Sequence, residues 1–236
     1  VEGRVMQGNN PDADSRINFQ SQHDAETYHY LWSYCYDVNS DQEGRFQFER
    51  VIPGKGTAAR VVVTAFLKSW RHSPCWQTPV DIQPGETAKI QIGGTGRPVA
   101  GRVKLDRQPD FDLDWTLNEP PSIGGWDKEK NRSTKNHVRY SANLDKEGRF
   151  EIPDVPAGDY QLMLSVNNPP NPNACGAGTA IGRASLEFTV PEIPGNRSDE
   201  PLDLGEIAAT LFDTLDPGEV APDFVAEKLS GGLVRM

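Results

Sequence analysis

The residues in this sequence that could bind a metal, run a redox cycle or supply a nucleophile include three cysteines and four histidines. Cys35, Cys75 and Cys175 are too few for a disulfide framework, and a monomer can close one bridge at most. Two readings of the first pair stay open: a Cys35–Cys75 bridge if the protein is extracytoplasmic, or two thiols. His72 and Cys75 are three residues apart, with His23, His29 and Cys35 in the same stretch. A zinc site needs three or four converging ligands, and this spacing supplies one pair. Asp110-Phe-Asp-Leu-Asp-Trp115 places Asp at alternate positions, as a calcium loop does at its opening, but it lacks the glycine and the closing glutamate. Its alternation with Phe111, Leu113 and Trp115 reads instead as a half-exposed strand. There is no Gly-x-Ser-x-Gly elbow, phosphate loop, dinucleotide fingerprint or Cys-x-x-Cys. No catalytic, cofactor-binding or metal-ligating residue is assigned, and the chain reads as a non-enzyme without a cofactor.

Five tryptophans, Trp32, Trp70, Trp76, Trp115 and Trp126, could form a carbohydrate platform or fill a core. Trp126, in Ile123-Gly-Gly-Trp126, is the candidate loop-borne ligand contact. Asn131-Arg-Ser133 and Asn196-Arg-Ser198 are glycosylation sequons, with meaning only in a eukaryotic secretory pathway.

The elements that would position these residues follow from composition and repetition. The chain has 236 residues, 22 of them Gly and 19 Pro, a turn-rich composition that favours many short strands. A net charge of −10 leaves no electrostatic footprint for nucleic acid or anionic lipid. No apolar run reaches the length of a membrane-spanning helix. Both ends read as cuts in a longer polypeptide.

The sequence repeats itself. Val1-Glu-Gly-Arg-Val5 returns as Val99-Ala-Gly-Arg-Val103, Asp41-Gln-Glu-Gly-Arg-Phe46 as Asp145-Lys-Glu-Gly-Arg-Phe150, and Val51-Ile-Pro-Gly54 as Val155-Pro-Ala-Gly158. Asp-x-Glu-Gly is turn chemistry, with the Gly at positive φ. Alternation before each turn (Tyr28 to Val38; Val138, Tyr140, Ala142, Leu144) and after it (Phe46, Phe48; Phe150, Ile152) marks a hairpin with one buried face, seen twice. Further strands are expected at 60–66, 88–92, 159–166, 184–190 and 202–208. Phe46, Phe48, Phe150, Ile152, Tyr160, Leu162 and Leu164 are expected to be buried, with the Gly44 and Gly148 turns exposed. The fold class is all-β: two tandem Greek-key β-sandwiches of about seven strands each, with an irregular C-terminal tail. The glycine cluster Gly93-Gly-Thr-Gly-Arg97 marks the boundary between them.

The landmarks Val-x-Gly-Arg-Val, Asp-x-Glu-Gly-Arg-Phe and Val155-Pro-Ala-Gly-Asp-Tyr160 resemble the carboxypeptidase regulatory-like domain, whose fold is a transthyretin-like (prealbumin-like) seven-stranded sandwich. Residues 95–209 fit this pattern. Residues 1–94 form a divergent copy, with Gly54-Lys-Gly-Thr57 replacing Ala-Gly-Asp-Tyr. The resemblance implies a non-catalytic module. Residues 210–236 resemble a linker and the truncated start of a redoxin domain of the peroxiredoxin and thiol–disulfide oxidoreductase kind: Pro217-Gly-Glu-Val-Ala-Pro-Asp-Phe224, then Leu229-Ser-Gly-Gly-Leu-Val-Arg235. That likeness implies a redox cysteine further downstream, in a redoxin domain missing in cis. The chain is therefore read as a spacer or docking region of a larger redoxin-type protein, extracytoplasmic, with a protein partner. The rival reading is a pair of ligand-binding modules that hold carbohydrate or a surface polymer through loop aromatics. A rigid inter-module joint under a polar surface favours the first, and an exposed aromatic row the second.

Overall fold

The computed structural model describes residues 1–21, 35–66, 69–109, 111–134, 138–168, 179–212, 225–227 and 233–235. Its first eight strands are β1 (Glu2–Gln7), β2 (Asn10–Pro11), β3 (Arg16–Ser21), β4 (Cys35–Asn39), β5 (Arg45–Gln47), β6 (Gly54–Phe66), β7 (Ser69–Ile82) and β8 (Lys89–Ile92). The next eight are β9 (Arg97–Leu105), β10 (Ser122–Asp127), β11 (Arg132–Ser133), β12 (Tyr140–Ser141), β13 (Arg149–Val155), β14 (Gly158–Asn167), β15 (Ala180–Val190) and β16 (Leu202–Leu211). In the tail, β17 (Val225–Glu227) pairs with β18 (Leu233–Arg235). Helical structure among the described residues is confined to two 3-10 turns, Trp115–Leu117 and Pro194–Asn196.

The sequence repeat is a repeat of sheet topology. β1 runs between β8, to which it is parallel, and β5, to which it is antiparallel. β9 likewise runs between a parallel β16 and an antiparallel β13. The opposing layer is β4-β3-β6-β7 in the first copy and β12-β10-β14-β15 in the second, with every neighbour antiparallel. These are two tandem β-sandwiches. Two-residue strands β2 and β11 extend β1 and β10. A short pairing of Gly182 with Leu211 and Arg183 with Thr210 links the two layers of the second sandwich.

Alternation along the strands decides which side chains meet between the layers. Val5, Ile17, Phe19, Phe46, Phe48 and Ile92 fill the first interior, where Phe19, Tyr36, Phe46 and Phe48 pack with ring centroids 5.9–6.5 Å apart. Val99, Val103, Ile123, Phe150, Ile152, Leu162, Leu164 and Val166 fill the second. All seven side chains expected to be buried from the sequence are buried.

The repeated motif has one structural meaning. In each copy the first strand and the hairpin turn lock together. Asp41 Oδ1 accepts from the N–H groups of Glu43 and Arg45, and Asp145 Oδ1 from those of Glu147 and Arg149. Val5 and Val103 donate backbone N–H bonds of 2.8 Å to Gly44 and Gly148. The Arg4 and Arg102 Nε groups donate to the Glu43 and Glu147 carbonyls at 2.8 and 3.0 Å. Asp, Gly and Arg are thus consumed in closing the turn.

Four expectations need correction. Gly44 and Gly148 are buried rather than exposed, because the Val5 and Val103 carbonyls lie over them, 2.5 and 2.7 Å from where a Cβ would stand. With φ of +73° and +76°, both positions also require the left-handed region. Asp112 to Trp115 do not form a strand. Asp114 Oδ1 accepts from the Thr116 N–H and hydroxyl and caps the turn that buries Trp115. Trp126 is not on a loop: it lies in β10 opposite Ser133 of β11. The expected strands also leave out the long β7, which contains Pro74 and Pro79. β7 is an edge of its sheet, where proline is tolerated.

Candidate functional site: the joint between the sandwiches

Each sandwich sends one pin into the other, and each pin sits at a break in strand register. In β13 the pairing with β9 shifts between Ile152 and Val155, and Asp154 takes φ +55°. In β7 the pairing with β6 shifts where Ala58 and Arg60 face Thr78 and Cys75, and Trp76 takes φ +49°. A bulge of this kind re-aims a side chain. Positive φ on a non-glycine residue costs on the order of 1–3 kcal/mol and persists where surrounding contacts over-determine it.

The first pin is Trp76, only 5% exposed. Its indole N–H donates to the Pro153 carbonyl at 3.1 Å, and its backbone N–H to the Arg139 carbonyl at 2.9 Å. Its ring meets Tyr140 edge to face at 5.9 Å, and Tyr140 continues to Tyr160 and Phe188. On the opposite side the Arg60 guanidinium lies 4.9 Å from the Trp76 ring and pairs with Asp12 at 2.9 Å. The aromatic row thus crosses from one sandwich to the next, anchored on the first by the cation–π contact and its ion pair. Burial pushes the Tyr140 phenol well above its usual range and also raises that of Tyr160, which keeps both neutral.

The second pin is Asp154, 3% exposed. Its carboxylate accepts from the Gly8 N–H at 3.0 and 3.1 Å and from the Gly94 N–H at 2.9 Å, both on the first sandwich's side. Arg197 adds an ion pair at 3.3 Å and turns its other amino group to Asp199, while its buried Nε has no partner. The connecting turn is fixed too. Gly96 donates to the Asn196 carbonyl at 2.7 Å and accepts from the Ser198 N–H at 2.9 Å. A Cβ on Gly96 would stand 2.3 Å from the Val155 carbonyl, so only glycine fits.

The residues singled out from the sequence do not converge here. Cys35 is exposed on β4 and Cys75 is fully buried on β7, and neither is in a disulfide. β4 and β7 are opposite edges of one four-stranded sheet, about 14 Å apart at about 4.8 Å per strand. A bridge needs Cα atoms within about 7 Å, which this arrangement does not provide. Burial pushes the Cys75 thiol up to about 12, against a smaller opposing pull from Arg139 and Arg60. His72 is exposed beside Arg16, and no group of three metal-binding side chains occurs among the described residues. Trp126 is half-buried, with its indole N–H unpartnered. Cys175, His23, His29, Trp32 and the tail residues Leu215, Val220, Phe224 and Leu229 lie outside the described residues, as does the Trp70 side chain. Trp76 and Asp154 drew no notice as a pair in the sequence. The available signal was the offset of the repeat, which sets Asp154 opposite Arg50 in the first copy.

No family model and no curated protein matches the chain. Among solved structures it is similar to GBS52, the minor pilin of Streptococcus agalactiae, with 10% identity over 93% of this chain and 99% of that one and a TM-score of 0.30. The shaft pilin SpaA from Lactobacillus rhamnosus GG gives 8% identity over 91% and 97% of the two chains and a TM-score of 0.27. The Bacillus anthracis TIE protein gives 13% identity over 99% of this chain and a TM-score of 0.26, and the chain spans 40% of that protein's length. Scores at this level do not establish a common fold, and the all-β assignment rests on the strands themselves.

Two outcomes follow. Asp154→Ala leaves Arg197 and two glycine N–H groups without their anion, so it should lower unfolding free energy by about 3–5 kcal/mol, measured by denaturant titration. Burial moves the Cys75 thiol from 9.0 when unfolded to about 12 when folded. The folded state therefore favours the protonated thiol. This stability is fully present below pH 9 and is lost as pH rises towards 12. The midpoint of the native protein should fall more steeply above pH 9 than that of Cys75→Val.

Proposed function

We propose that this chain is a non-catalytic spacer or docking region of a larger multidomain redoxin-type protein, working outside the cytoplasm. In this reading residues 1–94 and 95–209 are carboxypeptidase regulatory-like modules, and 210–236 lead into the redoxin domain. The observation that carries it is the reciprocal joint. Two modules that exchange a buried tryptophan and a buried carboxylate move as one body, which is what setting a domain at a fixed distance requires.

The surface supports the same reading. Troughs lie over the equivalent faces β8-β1-β5 and β16-β9-β13. Much of their charge is spent in local pairs: Arg45 with Asp41 and Glu43, Lys89 with Glu2, and Arg102 and Lys104 with Glu206. Among the described residues the large exposed apolar side chains are Met163 and Phe212, which do not make an aromatic row. The rival reading, polymer binding through Trp126, has correspondingly less support. The redoxin context rests on the Ala221-Pro-Asp-Phe224 frame and on the separate β17–β18 hairpin that follows it.

Small-angle scattering should fit one fixed arrangement of the two sandwiches in the native protein and a spread of arrangements in a Trp76→Ala, Asp154→Ala double variant. A spread in the native protein would count against the spacer reading. Retention on an insoluble polysaccharide that Trp126→Ala abolishes would establish the rival.

A further inference from the structure

We propose that the chain is built to carry tension between its ends, a function that goes beyond the spacer reading. In each sandwich the strand that enters and the strand that leaves are direct neighbours and run parallel. β1 opens the first sandwich and β8 closes it, with four residue pairs from Glu2↔Lys89 to Val5↔Ile92. β9 opens the second and β16 closes it, with six pairs from Val99↔Leu202 to Ala209↔Leu105. Force applied between residues 1 and 212 pulls each opening strand towards its start and each closing strand towards its end. Parallel neighbours then slide past each other, so the hydrogen bonds of each unbroken run are loaded together: four pairs in β1–β8, and in β9–β16 two pairs and then four across a register break between Asp203 and Glu206. Strands pulled apart from one end would give way one pair at a time.

Shear loading is useful only if the points where force enters and leaves do not peel first, and both exits are clamped. Where β8 leaves the first sandwich, the turn is held by Gly94 on Asp154 and by Gly96 on Asn196 and Ser198. Where β16 leaves the second, the Leu211 N–H donates to Asp106 Oδ1 at 3.3 Å, and the Phe212 N–H to the Ile181 carbonyl at 2.7 Å. The Arg107 guanidinium donates to the Leu211 and Phe212 carbonyls at 3.4 and 3.0 Å. Load arriving at either exit is passed into the long axis of the ladder. The parallel pairing alone is a feature of topology. The clamps at both exits, built from unrelated residues, give it a use.

Single-molecule force spectroscopy on the full chain tests this with two attachment geometries. Handles at Val1 and Met236 load β9 and β16 in shear. Handles at Gln108 and Met236 pull on neighbouring ends of the same two strands and peel them apart. Gln108 is exposed just beyond β9, so a handle there leaves the ladder intact. An unfolding force several-fold higher in the first geometry is the expected result. Equal forces would overturn the proposal while leaving a rigid pair seen by scattering untouched. Direction-dependent force together with loosely hinged sandwiches would remove the spacer reading and keep this one.

Discussion

A carboxylate that is 3% exposed must be surrounded by donors, and the way Asp154 meets that requirement sets the relation between the two halves of this molecule. Its donors come from three separate stretches of chain: Gly8 after β1, Gly94 after β8 and Arg197 before β16. The two glycine N–H groups can be reached only when the first sandwich is docked, whereas Arg197 comes from the same sandwich as Asp154. Removing one partner of such a group leaves the desolvation cost of the other unopposed, so the contact is worth most as an all-or-none condition on the arrangement. Two backbone residues in the left-handed region, Trp76 and Asp154, hold their strain at this same place. The strain is offset by what each pin reaches: an apolar interior for the tryptophan, and a ring of N–H groups for the aspartate.

The joint is also asymmetric, and this separates it from the motif that repeats. The Asp-x-Glu-Gly-Arg-Phe turn is duplicated because each sandwich needs its first strand locked to its hairpin, and the hydrogen bonds of the two copies agree closely. At the position of Asp154 the first copy has Arg50, which is exposed. The duplicated residues therefore maintain each fold, while the residues that differ couple the folds. A reading of function from the repeated motif alone would look in the wrong place, since its charged groups are already engaged in the turn.

This difference accounts for what the sequence revealed. Strand positions and the buried set followed from period-two alternation, which needs no long-range information. Alternation located β14 almost residue by residue and the inward-facing Phe150 and Ile152 of β13, while β15 begins four residues before the expected 184–190. β7 was hidden by two prolines that an edge strand accepts, and β10 by Gly124 and Gly125, which look like a loop until Tyr160 and Gln161 of β14 are seen opposite them. Asp112 and Asp114 imitate strand alternation, but a cap at Asp114 outcompetes it. The burial of Gly44 and Gly148 depends on carbonyls about forty residues away, which no local pattern encodes. The joint was not legible, because Trp76 and Asp154 are brought together by two register breaks, and a break leaves almost no trace in composition.

The contacts between the two sandwiches make them one cooperative body. Calorimetric unfolding of the native chain tests this most directly, because the ratio of calorimetric to van't Hoff enthalpy counts cooperative units. A single transition with a ratio of about one is expected. Two resolved transitions, or one with a ratio near two, would show that the sandwiches unfold independently and would contradict this.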